Sequence, residues 1–429
     1  MNTGKLCPPG SIFTIFVFSM ITTGAAAQVP TMEEMWRLIQ AQQQAIEALQ
    51  ARLGTTEARV EETIEAVEVT ADAVEVVSRQ DTESMQTTLG GYGELHYNNL
   101  DDNDLGDGDD SFEQADFHRF VLYFGHEFTD DIRFFSELEI EHSLAGDGAP
   151  GEVELEQAWI ELDLNDQHRM RAGLDILPVG LINPTHEPNT FYGVERNRIE
   201  SEIIPSTWWE AGIGMNGELA PGWNYDAVLH SGLVVPTSGS SAFRPRSGRL
   251  KVAEARDQDL AFTGRLRYTG FPGLEIGVTG QYQTDITGTA DNIDIDATLF
   301  ESHIDYKHHS GFALRALYAR WDMDGEPGLD PALVNADDLA GWFIEPAYRF
   351  SLGQRLGDLG IFARYSQWDE RNQLGGAAFR YEEFDQFTVG FNWWPHYNVA
   401  VKFDLQWEDA DNPVDRTFDG FNLGIGYQF

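Results

Sequence analysis

From residue 88 to the last residue the chain alternates apolar and polar positions with a period of two, the mark of strands whose two faces meet different surroundings. In 115–128, Phe120, Leu122 and Phe124 share one side and Arg119, Val121 and Tyr123 the other. In 169–176, Met170, Ala172, Leu174 and Ile176 oppose Arg169, Arg171 and Asp175. In 397–407, Val399, Val401, Phe403 and Leu405 oppose Lys402, Asp404 and Gln406. The same reading predicts strands at 88–98, 115–128, 132–142, 152–164, 169–176, 209–219, 223–231, 258–268, 274–283, 296–306, 311–321, 341–350, 358–368, 384–393, 397–407 and 417–429, sixteen in all. Their connections alternate between short turns, such as Thr129-Asp130-Asp131 and Ala220-Pro221-Gly222, and long loops, such as 177–208 and 232–257.

An even number of strands with short turns at one end and long loops at the other predicts an all-β fold, a 16-stranded antiparallel transmembrane β-barrel over 88–429. Lipid outside and water inside would explain why the apolar side alternates with a polar one, and closure leaves no backbone group unpaired in hydrocarbon. Trp208, Trp209, Trp223, Trp321, Trp342, Trp368, Trp393, Trp394 and Trp407 lie at or near predicted strand ends, where interfacial girdles form. Sixteen strands would leave an aqueous channel along the axis. In the closing strand Phe421, Leu423, Ile425, Tyr427 and Phe429 alternate with Asn422, Gly424, Gly426 and Gln428. Its terminal aromatic resembles the signal read by the outer-membrane barrel assembly machinery.

The N-terminal part has another period. Ile39, Ile46, Leu53, Val60, Val67 and Val74 fall seven apart, with Met35, Gln42, Leu49, Thr56, Thr63, Thr70 and Val77 on the second seam. This predicts an α-helical coiled coil over 32–79, placed in the periplasm, whose partner is a second copy of the chain. The mixed second seam leaves dimer and trimer open and favours the homotrimer. The other reading is an amphipathic helix folded onto the barrel. Residues 1–27 read as a signal peptide: Lys5, an apolar core from Ile12 to Ile21, then Ala25-Ala26-Ala27.

Candidate chemistry falls on the polar faces and the third long loop. The expected pore-lining basic residues are Arg119, Arg133, Arg169, Arg171, Arg265, Arg267, Arg315, Arg364 and Lys402, and the acidic ones Glu94, Glu137, Glu139, Glu161 and Asp175. The loop 177–208 is long and apolar for an exposed connection, and is expected to fold into the barrel as a constriction carrying Glu187, Glu195, Arg196, Arg198, Glu200 and Glu202. Facing charges of both signs set a transverse field that sorts ions by sign, and arginine suits carboxylates and phosphates. The mixture leaves the preferred sign open.

Composition narrows the alternatives. A net charge of −43 excludes nucleic acid as a partner, and no stretch reaches the ~18 apolar residues of a spanning helix. The single Cys7 lies within the signal, so no disulfide is expected. No serine nucleophile motif or phosphate-cradling glycine loop appears, so no enzyme is predicted. Histidines and cysteine lack metal spacing, so no metal or cofactor is predicted beyond weak divalent-cation binding by the acidic loop 101–110, which would tie the barrel to lipopolysaccharide.

The stretch RAGLDILPVGLINPTHEPNTFYGVERNRIE, followed by AGIGMNGEL, resembles the phosphate-selective porin O and P family, particularly at Gly173, Pro178, Gly180, Glu195-Arg196, Gly212 and Gly214. The resemblance implies a trimeric outer-membrane porin of sixteen strands, in some members passing anions held by lumen arginines and lysines. The chain departs from the pattern in having only Lys251, Lys307 and Lys402 beyond the signal and Trp208-Trp209 where a basic residue is expected. The expected function is diffusion of small hydrophilic solutes, including anions such as phosphate, across the outer membrane of a Gram-negative bacterium. The alternative is an anchor whose coiled coil tethers the envelope to cell wall or a periplasmic partner.

Overall fold

The chain divides into two compact units, Met1–Ser84 and Met85–Phe429. The computed structural model describes residues 87–103, 111–146, 148–237, 241–253, 255, 259–288, 294–325, 338–372, 380–411 and 417–429, together with Met32, Trp36 and Gln43, all three helical. The expected signal, nearly all of the heptad and most of the acidic loop lie outside the described residues.

Alternation of side chains across a paired backbone produces sixteen strands: β1 (Thr87–Asp102), β2 (Phe112–Thr129), β3 (Ile132–Glu141), β4 (Val153–Asp163), β5 (His168–Ile176), β6 (Trp209–Ala220), β7 (Trp223–His230), β8 (Ala261–Phe271), β9 (Leu274–Gln283), β10 (Ile295–Lys307), β11 (Phe312–Gly325), β12 (Asp338–Ser351), β13 (Asp358–Asn372), β14 (Arg380–His396), β15 (Val399–Ala410) and β16 (Phe418–Gln428). Each pairs antiparallel with its sequence neighbours, and β1 pairs with β16 from Tyr92↔Gln428 to Asp102↔Phe418, so the sheet closes. Several strands run past their expected ends, β11 to Gly325 and β14 back to Arg380. The apolar pattern marks only the belt of a strand, whereas the hydrogen-bond ladder continues through polar residues beyond it.

Leu95, Ile160, Ile213, Phe300, Ile361 and Leu423 face outward and are exposed, while their neighbours Glu94, Glu161, Glu301 and Asn422 are buried inside. Phe429 closes the outer face at 57% exposure, and its backbone exchanges hydrogen bonds with Gly91 on β1 at 2.9 and 3.1 Å.

Two expectations about the faces need correction. The lumen is not polar all round: Ile295, Leu299, Leu317, Trp321, Leu339 and Phe343 point inward from β10–β12 and form a dry cluster with the loop residues Leu177, Ile199, Ile203 and Trp208. The tryptophans do not all form girdles. Trp223, Trp342 and Trp407 are exposed outside, but Trp208, Trp209, Trp321, Trp368 and Trp394 are buried. Nearness to a strand end does not decide the side; parity does, and Trp321, Trp368 and Trp394 stand on inner-face positions.

Candidate functional site

The connection between β5 and β6, residues 177–208 and here called L3, crosses the inside of the barrel. Its two ends are clasped by Asn183, whose side chain donates to the carbonyls of Leu177 (2.9 Å) and Trp208 (3.3 Å) and accepts from the Trp208 backbone N–H at 2.7 Å. Its fold is set from within by Glu200, 2% exposed, which accepts from the backbone of Leu181 and Ile182 at 2.6 Å each and from Asn197 at 2.9 Å. Burial pushes the Glu200 carboxyl up, and those donors offset part of the rise. Glu200 therefore serves as a strut of the loop, a correction to its expected place among the constriction charges.

L3 reaches the wall on many sides. On the dry side Ile199 and Ile203 lie against Gly341 of β12, where an added Cβ would sit 3.0 Å from each, and the Trp321 indole donates to the Ile203 carbonyl at 2.8 Å. Opposite, Pro188 packs on Gly426 of β16 so closely that any side chain there would collide at 2.4 Å. Between these, Arg315 donates to the Thr190 carbonyl (3.0 Å), Asn392 to that of Phe191 (2.9 Å), and the Val194 N–H to Asp404 (2.7 Å). Glu195 binds His96 at 2.9 Å and Asn98 at 3.0 Å on β1. Burial works to raise the Glu195 carboxyl, but the charge and hydrogen bond of His96 outweigh it and hold it well below the usual carboxylate range. Arg196 donates to the Thr207 hydroxyl at 2.8 Å; burial and then the Arg119 charge lower its guanidinium to about 10. Arg198 pairs with Glu408 at 3.2 Å, and Glu202 with Arg244 and Arg246 of the next long loop at 3.1 Å each. Glu187 is half-buried, its carbonyl accepting from the Thr190 N–H at 3.0 Å.

Every strand residue expected to line the pore stands on the inner face, but these residues form pairs more than free charges. Arg119 meets Glu94 at 2.5 Å, both nearly fully buried. Across β3–β5 a ladder runs from Arg133 to Glu161 (2.8 Å) and Asp163, from Arg169 to Asp163 (3.1 Å), and from Arg171 to Glu161 (2.8 Å) and Asp175 (2.9 Å). Arg265 pairs with Asp226, Arg267 with Glu275, Arg315 with Asp305 and Arg364 with Glu345, at 2.9 to 3.3 Å. Lys402 is the exception: its ammonium is buried without a hydrogen-bond partner, 3.6 Å over the Phe191 ring. Glu139 is buried beside Glu156, and Glu137 belongs to a cluster with Glu156 and His186.

A cavity lies on each side of L3, and Phe191 borders both. The one toward the long loops, about 490 Å³, is lined by seven basic residues, among them Arg196, Arg198, Arg246 and Arg249, and by eight acidic ones, among them Glu94, Glu139 and Glu195. The one toward the short turns, about 630 Å³, has Arg265, Arg267, Lys307, Arg315 and Arg349 against Glu275, Asp305 and Glu345. Sequence reasoning missed His96, Asn98, Glu156, His186 and the cations Arg246, Arg249 and Lys251 of the loop between β7 and β8. His96 was within reach, since Glu94 and His96 are two apart on one face. The loop residues carry no local signal, because what they touch is set by the closed barrel.

No family model matches the chain. The "Uncharacterized protein" of Aquifex aeolicus (strain VF5) is 30% identical over 365 residues, 80% of each chain. Among solved structures, the anion-selective porin from Comamonas acidovorans superposes with a TM-score of 0.54 at 12% identity over 80% of this chain and 99% of that one. The outer membrane channel DcaP of Acinetobacter baumannii gives 0.52 at 11% over 80% and 97%, and Salmonella typhi OmpF in complex with daunomycin 0.51 at 15% over 80% and 97%. At such identities the likeness is one of fold.

Proposed function

This chain belongs to the same family as the Aquifex aeolicus protein, and from the barrel it forms we propose that it is an outer-membrane porin, a passive channel for small hydrophilic solutes. The observation that carries the reading is L3 laid across the lumen with a charged cavity on either side. A loop that narrows a closed barrel, and wall charges fixed in pairs around it, make a filter that needs no moving part. No step in this function requires catalysis, and the chain is read as a non-enzyme.

An anion preference is supported by the cavity toward the turns. Its five basic residues outnumber its three acidic ones, in a chain whose net charge is −43. Guanidinium groups bind carboxylate and phosphate without giving up their charge, so anions are the preferred solutes and phosphate is one of the class. In this reading Arg119, Arg133, Arg169, Arg171, Arg265, Arg267, Arg315, Arg364 and Lys402 serve the path, supported by Arg265, Arg267 and Arg315 on the cavity toward the turns and Arg119 and Arg364 on the one toward the long loops. The heptad over 32–79 supports a homotrimer with a periplasmic coiled coil after removal of 1–27, and the same heptad supports a second role as a tether to cell wall or a periplasmic partner. Surface lipopolysaccharide and the barrel assembly machinery complete the partners of such a barrel.

Planar-bilayer recording of the folded full chain tests the proposal. Discrete conductance steps, with a reversal potential in a KCl gradient on the chloride side, are expected. A folded barrel that gives no conductance would remove the channel reading, and a reversal potential on the potassium side would remove the anion preference. Deleting 32–79 without changing wall association would remove the tether.

A further inference from the structure

Three buried side chains meet where L3 touches the wall between β3 and β4. Glu137 comes from β3, Glu156 from β4 and His186 from L3, at 1%, 1% and 3% exposure. The imidazole Nε2 stands 3.4 Å from Glu137 Oε1 and 3.7 Å from Glu156 Oε2, and all three of these atoms are buried without a hydrogen-bond partner. Each is also held in place from behind. His186 Nδ1 lies 3.0 Å from the Asn183 carbonyl, so Nδ1 carries a proton and Nε2 is the ring atom that faces the carboxylates. Glu137 accepts from Gln157 at 2.5 Å through its other oxygen. Glu156 is the extra residue of a β-bulge: Glu137 opposes Gln157 and Leu138 opposes Leu155, so Glu156 has no partner in the ladder and turns inward.

Two buried carboxylates converging on one imidazole nitrogen call for a positive charge between them, carried by the ring or by a bound ion. Arg119 and Arg196 stand nearby, but Arg119 is bonded to Glu94 at 2.5 Å and Arg196 to Thr207, and neither donates a hydrogen bond to the three facing atoms. A hydrogen bond from a protonated Nε2 would bring one oxygen to ~2.8 Å, shorter than either separation found. An ion bound tetrahedrally at ~2.0–2.1 Å holds its ligands ~3.3 Å apart, close to both. The second acidic trio, Glu141, Glu152 and Glu154, contrasts with this one: Lys251 sits in it, bonded to Glu152 at 2.6 Å and to Glu154.

We propose that Glu137, Glu156 and His186 form a binding site for a divalent first-row transition ion, of which Zn²⁺ is the representative, and that the ion staples L3 to the barrel wall. One imidazole and two carboxylates suit such an ion, and the Asn183 carbonyl behind His186 is the outer-shell support that metal-bound histidines use. The site does not depend on which solute the barrel passes.

The test uses the folded full chain in detergent, stripped with EDTA and dialysed against ZnCl2 in excess Mg²⁺, which occupies surface carboxylates. One zinc per chain is expected, and Co²⁺ in its place should show the intense visible bands of a low-coordinate site. Glu156→Gln and His186→Gln nearly keep their side-chain volumes and should each weaken zinc by at least roughly a hundredfold, beyond the ~10–100-fold of an outer-shell loss. The heat-dependent gel shift of a closed barrel verifies that each variant has folded. Wild-type chain that takes up no zinc under these conditions, or folded variants that bind it as tightly as wild type, would overturn the proposal. The Co²⁺ spectrum of the wild type alone decides the matter if both variants fail to fold.

Discussion

Part of the inner wall of β10–β14 is apolar, and L3 lies on it through Ile199, Ile203 and Trp208 packed against Leu317, Trp321, Phe343 and Trp368. Along β1–β5 the wall is charged, and L3 is held there by single contacts such as Glu195 to His96, in front of ladders of paired arginines and carboxylates. The same loop is thus fixed by burial on one side and by directional bonds on the other. Burial is strong and indifferent to small shifts, so it places the loop. The bonds are geometrically strict and individually modest, so they set which charges face the water left beside it.

The largest effect should come from the dry side. Trp321→Ala removes a fully buried ring and the indole bond to the Ile203 carbonyl, and should cost about 3–5 kcal/mol. Its readouts are a lower thermal unfolding midpoint and protease cleavage within 177–208 of an otherwise folded barrel. On the charged side, Glu94→Gln strands the buried Arg119 guanidinium and should cost about 3 kcal/mol, whereas removing both charges together with Glu94→Gln and Arg119→Met should restore most of that loss. A double variant no more stable than the single would show that the pair is not what holds this wall.

Selectivity should answer to the cavity toward the turns. Arg315→Gln removes one of five basic charges while Asp305 keeps Lys307 at 3.0 Å, moving the reversal potential toward the cation side at a smaller cost in stability than Glu94→Gln. The smallest effect is at the L3 latch. Glu195→Gln loses a charged hydrogen bond worth about 1 kcal/mol. Because folding lowers the Glu195 pKa, its contribution is fully present above the unfolded value of ~4.3 and declines as pH falls below it. The stability gap between wild type and variant should therefore stay constant from neutral pH to about 5 and close at lower pH.

How much of this could be read from the chain also differs between the two sides. Where one face is apolar and the other charged, as in β2 and β5, alternation alone assigned Arg119 and Arg171 to the lumen. On β10 and β11 the inner face carries Ile295, Leu299, Leu317 and Trp321, so period two persists in the backbone while the contrast that reveals it is lost. The tryptophans failed as interface markers for the same reason: an indole that packs on L3 and one that meets the outside look alike in sequence. Within L3, Glu200 looked like a charge of the constriction because its partners are backbone N–H groups that no composition records. Glu156 was invisible because a bulge, not parity, turns it inward. The heptad, by contrast, is plain in the sequence and lies outside the described residues.

Single-channel conductance with L3 shortened tests the central claim most directly. Residues 186–197 would be replaced by a short glycine-serine link that keeps the Asn183 clasp and the Ile199–Trp208 packing on the dry wall. The account predicts a folded barrel whose conductance rises several-fold and whose charge preference weakens, because the bonds from Thr190, Phe191, Val194 and Glu195 to the wall are gone. Conductance and selectivity equal to those of the intact chain would contradict it, since L3 would then not be what narrows the channel.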